Sequence, residues 1–84
     1  MSVRADRGTA VVVVSVDGDL SLPATLVQLR SALTGLAFTE ELPVVVDMSA
    51  ATGSSPAVDR LLARTQRLMA HRGVVFRVDS GVLA

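Results

Sequence analysis

The sequence contains no cysteine and almost no aromatic residues, and neither charge is in excess. Among its 84 residues, Phe38 and Phe76 are the only aromatics, and eight basic residues balance eight acidic ones. Without cysteine no disulfide can stabilise the chain, which is typical of a reducing compartment. Since few aromatic rings are available to stack on bases and no net positive charge attracts phosphates, we expect no nucleic-acid partner.

Long apolar runs are also missing. The run at 10–14 is far too short to cross a bilayer, and residues 1–8 are polar, unlike a secretory signal. We therefore expect a cytoplasmic protein without membrane insertion. A chain of this length forms one domain with little stability to spare. We assign the domain to 1–84, with 1–8 as an edge strand and turn and 79–84 as a tail.

Half of the residues are apolar, and changes in their spacing predict an α/β fold with the order β-β-α-β-α-β. The predicted strands are 2–5, 9–16, 43–47 and 74–78, and the predicted helices begin near 21 and at 56. Strand–helix–strand units favour right-handed crossovers and parallel strands, whereas the first two strands form an antiparallel hairpin. The expected architecture is a mixed sheet of four to five strands with helices packed on it.

Local signals set the expected boundaries. Gly8 supplies a positive φ for a tight turn at 6–8. Ser21 and Pro23 open the first helix, Gly35 ends its regular part or frays it, and 34–42 is a connector. Its inward stripe consists of five leucines, at 22, 26, 29, 33 and 36. Residues 48–55 form a loop after the third strand, and the second helix runs from 56 to about 71, with Gly73 at its C-terminal cap.

The start of the second helix is the most informative segment for function. Ser54 and Ser55 lie where helix amides and the positive helix end favour an anion, including a phosphate attached to serine. The alternative is an ordinary N-cap, with Ser55 capping and Pro56 as the first helical residue. Both interpretations are compatible with the local sequence.

Other polar residues give weaker signals. Asp17, Asp19 and Asp47 follow strands and could gather at one rim as metal ligands, although such aspartates more often accept backbone hydrogen bonds in turns. His71 is a single histidine without a partner for catalysis. The second helix also carries Arg60, Arg64 and Arg67, which form either a solvated face or a surface for an acidic partner. No phosphate-cradling glycine motif is present, and we expect neither catalysis nor a cofactor or metal.

Three segments in the correct order resemble the STAS family (sulfate transporter and anti-sigma factor antagonist). Gly-Asp-Leu-Ser-Leu-Pro-Ala-Thr at 18–25 resembles the start of the first STAS helix. Val-Val-Val-Asp-Met-Ser at 44–49 is similar to the family's Val-Asp-Leu-Ser strand ending, and Arg-Gly-Val-Val at 72–75 resembles the exit of the second helix. The resemblance covers about 2–78.

The resemblance implies a non-catalytic module that binds an anti-sigma factor, itself a serine kinase. In that family, the kinase phosphorylates a serine at the start of the second helix, and the phosphorylated antagonist dissociates from the kinase. A phosphate adds about −1.5 to −2 charges, enough to oppose binding. The implied partner-binding residues are Asp19, Ser21, Asp47, Ser49, Thr52, Asp59 and Arg60.

The chain departs from the family at the switch and at its C-terminus. The family's Asp-Ser-Ser-Gly corresponds to Gly53-Ser54-Ser55-Pro56 here. Matching the serine pair directly makes Ser54 the acceptor, whereas counting back from Gly73 along the helix makes it Ser55. STAS domains continue into a further helix and strand, so we expect an uncovered apolar face that a partner or self-association buries. The alternative function is a constitutive STAS subunit or scaffold of a transport or signalling complex, without a phosphoswitch.

Overall fold

Six elements follow one another in the predicted order. The computed structural model describes residues 2–79, without the side chain of Ser2. The elements are β1 (Ser2–Arg7), β2 (Val12–Asp19), α1 (Pro23–Thr39), β3 (Val44–Thr52), α2 (Pro56–His71) and β4 (Phe76–Asp79). Residues 80–84 of the predicted tail lie outside the described residues. Neither described helix is long and apolar enough to cross a membrane.

The four strands form one mixed sheet in the order β1-β2-β3-β4. β1 is antiparallel to β2, and the other two pairs are parallel, as predicted from the hairpin and the two crossovers. The predicted turn at 6–8 is wrong, because Asp6 and Arg7 still pair with β2. The turn instead closes between the Gly8 N–H and the Val11 carbonyl, 2.9 Å apart, and Gly8 has no positive φ.

The helices cover one face of the sheet, and the core lies beneath them. Alternate valines of β2 and β3 are buried there, together with Leu29, Leu33 and Met69 of the helices. Burying a side chain such as Leu33 contributes about 1.5–3 kcal/mol. On the opposite face, Val13 of β2 and Val45 of β3 are only half-buried. β2 lies between β1 and β3 in the sheet, and this central position accounts for its apolar residues on both faces.

Helix α1 differs from the prediction at both ends. It continues through Gly35 to Thr39, because Ala37 is buried against the core and the Glu40 N–H donates to the Leu36 carbonyl at 3.0 Å. At the start, the N-cap is Leu22, which is 46% exposed and lies outside the buried stripe. Ser21 makes no cap because its hydroxyl donates to Asp19.

Strand β3 is longer than predicted, since it extends to Thr52 and leaves only three residues before α2. The extension pairs with the end of β2 across a register shift in which Ser15 pairs with Asp47 but Asp17 pairs with Ala50. β3 therefore carries one extra residue, a β-bulge. Because it pairs with this extension, β2 ends at Asp19 rather than at 16. The last strand, β4, begins at Phe76 rather than at 74.

Helix α2 was predicted most accurately, from Pro56 to His71. Gly73 follows its C-cap with φ +73°, the left-handed cap conformation. Beside α2, a groove of about 360 Å³ runs along β4, with Leu62, Phe76 and Val78 in its lining. The expected uncovered apolar face and its occupant stay predictions.

Candidate functional site

The carboxyl ends of β2 and β3 meet at one edge of the sheet, where loops lead into both helices. Asp19 lies opposite Thr52 in the parallel register. Beyond them, the Leu20 N–H donates to the Thr52 carbonyl at 2.8 Å. This bond holds the two loops side by side, so the residues that begin α1 and α2 form one surface. Loops in this position commonly carry function in α/β proteins.

The carboxylate of Asp19 orders the loop that follows β2. Its Oδ1 accepts hydrogen bonds from the Ser21 hydroxyl at 2.7 Å and the Ser21 N–H at 2.9 Å. These bonds, the hydroxyl first, stabilise the charged form and hold the pKa of Asp19 below its usual value. The carboxylate therefore stays ionised at neutral pH, in a fixed orientation.

The other loop touches this carboxylate through Gly53. A Cβ at this position would lie 2.6 Å from Asp19 Oδ1, and the backbone φ is +70°. Both the contact and the dihedral require glycine. Sequence reasoning considered Gly53 only as the substitute for an acidic residue and missed this contact. The available signal was a glycine directly before the two serines at the predicted start of the second helix.

The two serines lie at the start of α2, as expected. Ser55 occupies the N-cap with φ −154° and ψ 128°, but its hydroxyl makes no capping hydrogen bond. Its carbonyl accepts from the Asp59 N–H at 3.0 Å. Ser55 is half-buried, whereas Ser54 is exposed. The helix position was predicted correctly, and the predicted capping bond is absent.

Asp59 and Arg60 lie on the first turns of α2 and are exposed. Thr52 is exposed at the end of β3, and Ser21 is exposed in the facing loop. The structure thus places most of the implied partner-binding residues at one edge of the molecule with Ser54 and Ser55, although Asp59 lines the groove beside β4 and Arg60 lines a groove that faces α1. We name it the switch edge, defined by Asp19, Ser21, Thr52, Ser54, Ser55, Asp59 and Arg60.

Asp47 and Ser49 do not join this surface. The Asp47 carboxylate accepts the Ser49 N–H at 2.9 Å, at the bulge of β3. Hydrogen bonds from Ser49, its hydroxyl first, lower the pKa of Asp47. The two residues line a separate groove of about 220 Å³ with Arg4, Ser15 and Asp17, on the side of the sheet away from the helices. Their geometry supports a structural role at the bulge.

The rim of aspartates does not assemble as a metal site. Asp19 and Asp47 each accept hydrogen bonds from a serine two residues later, which is the turn role considered above. Within residues 2–79, no three His, Asp or Glu side chains are grouped so that they could hold a metal ion. His71 is exposed in the last turn of α2.

No protein-family model matches the sequence, and no curated protein matches it as a relative. Solved structures, however, share its fold. The anti-sigma factor antagonist SpoIIAA in its unphosphorylated form superposes with a TM-score of 0.75, over 92% of this chain and 71% of SpoIIAA, at 13% identity. The STAS domain of an antisigma-factor antagonist from Rhodobacter sphaeroides gives a TM-score of 0.70, over 95% of this chain and 86% of that one, at 20% identity.

The chain has a STAS-like fold. A third structure, that of Mglu, gives a TM-score of 0.74 over 90% of this chain at 21% identity, but the match spans only 19% of the Mglu chain. The fold predicted from the three resembling segments is therefore confirmed, with four strands in the described sheet. At these identities the superpositions concern the STAS-like fold alone.

Proposed function

We propose that this chain is a non-catalytic protein-interaction module of the anti-sigma factor antagonist type. In this proposal it binds an anti-sigma factor that is also a serine kinase, and phosphorylation on Ser55 or Ser54 ends the binding. The observation that carries the proposal is the pair of serines at the start of α2, in a fold shared with SpoIIAA. Residues 1–84 would act as one module in the cytoplasm.

The environment of the serines suits a phosphate-dependent switch. The N-terminus of α2 carries a partial positive charge and unpaired amides, which favour a phosphate on the neighbouring serine. The helix position favours Ser55 as the acceptor, whereas exposure to a kinase favours Ser54. Either phosphate would add about two negative charges to an edge that already carries Asp19 and Asp59. A partner seated there would be repelled and would have to desolvate the phosphate.

The proposed contact surface is the switch edge defined above. Its polar side chains come from the ends of both strands and the start of α2, where Asp59 and Arg60 lie on different sides of the helix. Asp47 and Ser49, which line the groove on the other side of the sheet, are left out of this surface. No reaction at the switch edge is part of the proposal.

A constitutive STAS subunit without a phosphoswitch is the second candidate, and Pro56 favours it. Proline has no N–H, so the first position of α2 offers one amide fewer to a phosphate. A scaffold of this kind would use the same surface without modification.

A capture experiment separates the two candidates. The immobilised wild-type chain is compared with Ser55→Asp and Ser54→Asp in lysate of the native host, and bound proteins are identified by mass spectrometry. Thr9→Asp is the matched control, because it adds the same charge at an exposed position in the β1–β2 turn. Any captured kinase is then purified and incubated with ATP and the wild-type, Ser55→Ala and Ser54→Ala chains.

The switch proposal predicts capture of a serine kinase that phosphorylates the wild-type chain at Ser54 or Ser55. The corresponding Asp variant should lose that kinase, and Thr9→Asp should retain it. Capture of the same partner by all four proteins, without phosphorylation, would refute the switch and favour the constitutive subunit.

A further inference from the structure

The two helices carry a net positive charge in a chain that is neutral overall. α1 and α2 contain four arginines and a single acidic residue, Asp59, while the rest of the chain contains four arginines and seven acidic residues. The charge is therefore segregated, with a basic helical layer on one side of the sheet. Zero net charge conceals this division.

Three of these arginines line one groove between the helices. Arg30 of α1 faces Arg60 and Arg64 of α2 across a groove of about 420 Å³ that has Leu61 in its lining. We call it the arginine groove. All three arginines are exposed, and the ion pairs formed within residues 2–79 are Arg4–Asp6 and Arg7–Glu40, so none of the three has a carboxylate partner there.

The groove continues along the helices over an apolar stretch. Leu61 and Arg64 also line a smaller depression of about 60 Å³, together with Phe38 and Leu68. Phe38 is one of the only two aromatic residues, yet it is 63% exposed. An exposed aromatic beside unpaired guanidinium groups is typical of a protein-interaction surface, where aromatic and arginine side chains are enriched.

We infer that the arginine groove binds an acidic amphipathic helix of a protein partner. The carboxylates of such a helix would pair with Arg30, Arg60 and Arg64, and its apolar side chains would pack on Leu61 and Phe38. Planar guanidinium groups suit this role, because they pair with carboxylates in a bidentate manner. A nucleic acid fits less well, since the sheet side of the chain is acidic and only one aromatic ring is available for stacking.

This inference extends the proposed function, because the groove adjoins the switch edge. Ala57 lines the groove and lies two residues after Ser55, and Arg60 belongs to both surfaces. A partner helix in the groove would therefore bring the rest of that partner to the serines. Binding of such a helix can be tested without the kinase and without phosphorylation.

The test uses a fluorescent synthetic peptide of about 15 residues, long enough to form a helix, with leucines on one face and glutamates beside them. A second peptide carries glutamine in place of every glutamate. Binding is measured by fluorescence anisotropy with the wild-type chain and the double variant Arg60→Gln/Arg64→Gln. The matched control is Arg4→Gln/Arg77→Gln, which removes the same charge from exposed positions on the sheet. Circular dichroism checks that all variants are folded.

The glutamate peptide should bind the wild-type chain more tightly than the glutamine peptide, with an affinity that falls between about 50 and 200 mM salt. Arg60→Gln/Arg64→Gln should weaken binding by about two- to thirtyfold, whereas the control should change it by less than about twofold. Phe38→Ser should weaken binding of both peptides.

Three results would overturn the inference. The first is that the glutamate peptide does not bind at about 1 mM. The second is that both double variants lose the same amount of affinity for the peptide. The third is that a duplex oligonucleotide binds more tightly than the peptide and that its binding depends on Arg60 and Arg64. The last would assign the groove to nucleic acid. Since phosphorylation of Ser54 or Ser55 is measured separately, failure of this test leaves the proposed switch standing.

Discussion

Gly53→Ala is the substitution that best tests the geometry of the switch edge. The new methyl group would lie 2.6 Å from Asp19 Oδ1, at a backbone φ of +70°. The left-handed conformation alone costs an L-residue about 1–2 kcal/mol. The short contact adds to this cost, because either the carboxylate leaves its hydrogen bonds to Ser21 or the loop moves away from it.

Gly73→Ala separates the cost of the left-handed backbone conformation from the cost of the short contact. Gly73 has nearly the same φ, +73°, but a Cβ there would meet no atom within 4 Å. Its substitution should therefore lower the free energy of unfolding by about 1–2 kcal/mol, the backbone term alone. Urea denaturation followed by circular dichroism gives both values under the same conditions. Gly53→Ala should be clearly the more destabilising of the two.

A double-mutant cycle then assigns the difference to Asp19. Removing the carboxylate in Asp19→Ala opens the space that the methyl group needs, so the double variant should be more stable than the two single effects predict. Independent sites add to within about 0.5 kcal/mol. Additivity within that margin, or equal effects of Gly53→Ala and Gly73→Ala, would refute the contact as the reason for glycine.

Other substitutions test the fold. Gly35→Ala should stabilise the chain by about 1 kcal/mol, because Gly35 lies inside α1 with open space where a Cβ would stand; a loss of stability would contradict the helix continuing there. Leu33→Ala should cost about 2–5 kcal/mol, since Leu33 is fully buried, and thermal denaturation measures this. The N–H groups of Leu42 and Glu41, with Arg7, lower the pKa of Glu40. The stability that ionised Glu40 provides is complete above its ordinary pKa of about 4.5. It is lost as the pH falls through the lowered pKa of Glu40 in the folded state. Glu40→Gln should therefore flatten the acid side of the pH–stability curve.

The sequence predicted the elements whose signals are local. The order of strands and helices follows from the spacing of apolar residues, and α2 was bounded correctly because Pro56 and Gly73 mark its two ends. The same reasoning failed at Gly35. A glycine disfavours a helix by about 1 kcal/mol, but burial of Leu36 and Ala37 against the core outweighs this local preference.

The errors at β2 and β3 have a different origin. The extension of both strands depends on their pairing with each other across the bulge. Such pairing is a long-range contact that no window of the sequence reveals. Arg72, whose guanidinium donates to the Ala37 carbonyl at 2.8 Å, is another case, since 35 positions separate the two residues.

Most of the candidate site was predictable because βα loops meet at the carboxyl edge of a parallel sheet. Asp19, Ser21 and Thr52 came together with the serines for that reason. Asp47 and Ser49 were grouped with them on family resemblance, and the alternation of β3 turns Asp47 to the other face. The arginine groove was predicted only in part. Arg60 and Arg64 were recognised on the second helix, but Arg30 belongs to α1 and joins them only because the two helices pack together.

The contact between Asp19 and Gly53 changes how the altered switch motif is interpreted. When the serine pairs are matched directly, the STAS motif that this chain resembles has an acidic residue where Gly53 stands. Here the carboxylate of Asp19 occupies the space beside that position, and its pKa is lowered so that it stays charged. An aspartate at 53 would place a second negative charge against it in a strained backbone conformation. The space beside Asp19 and the φ of +70° therefore explain why glycine stands at 53 in this chain. The missing motif acid and Pro56, which removes an amide from the helix start, both count against phosphorylation, and a direct assay of Ser54 and Ser55 decides between the two candidate functions.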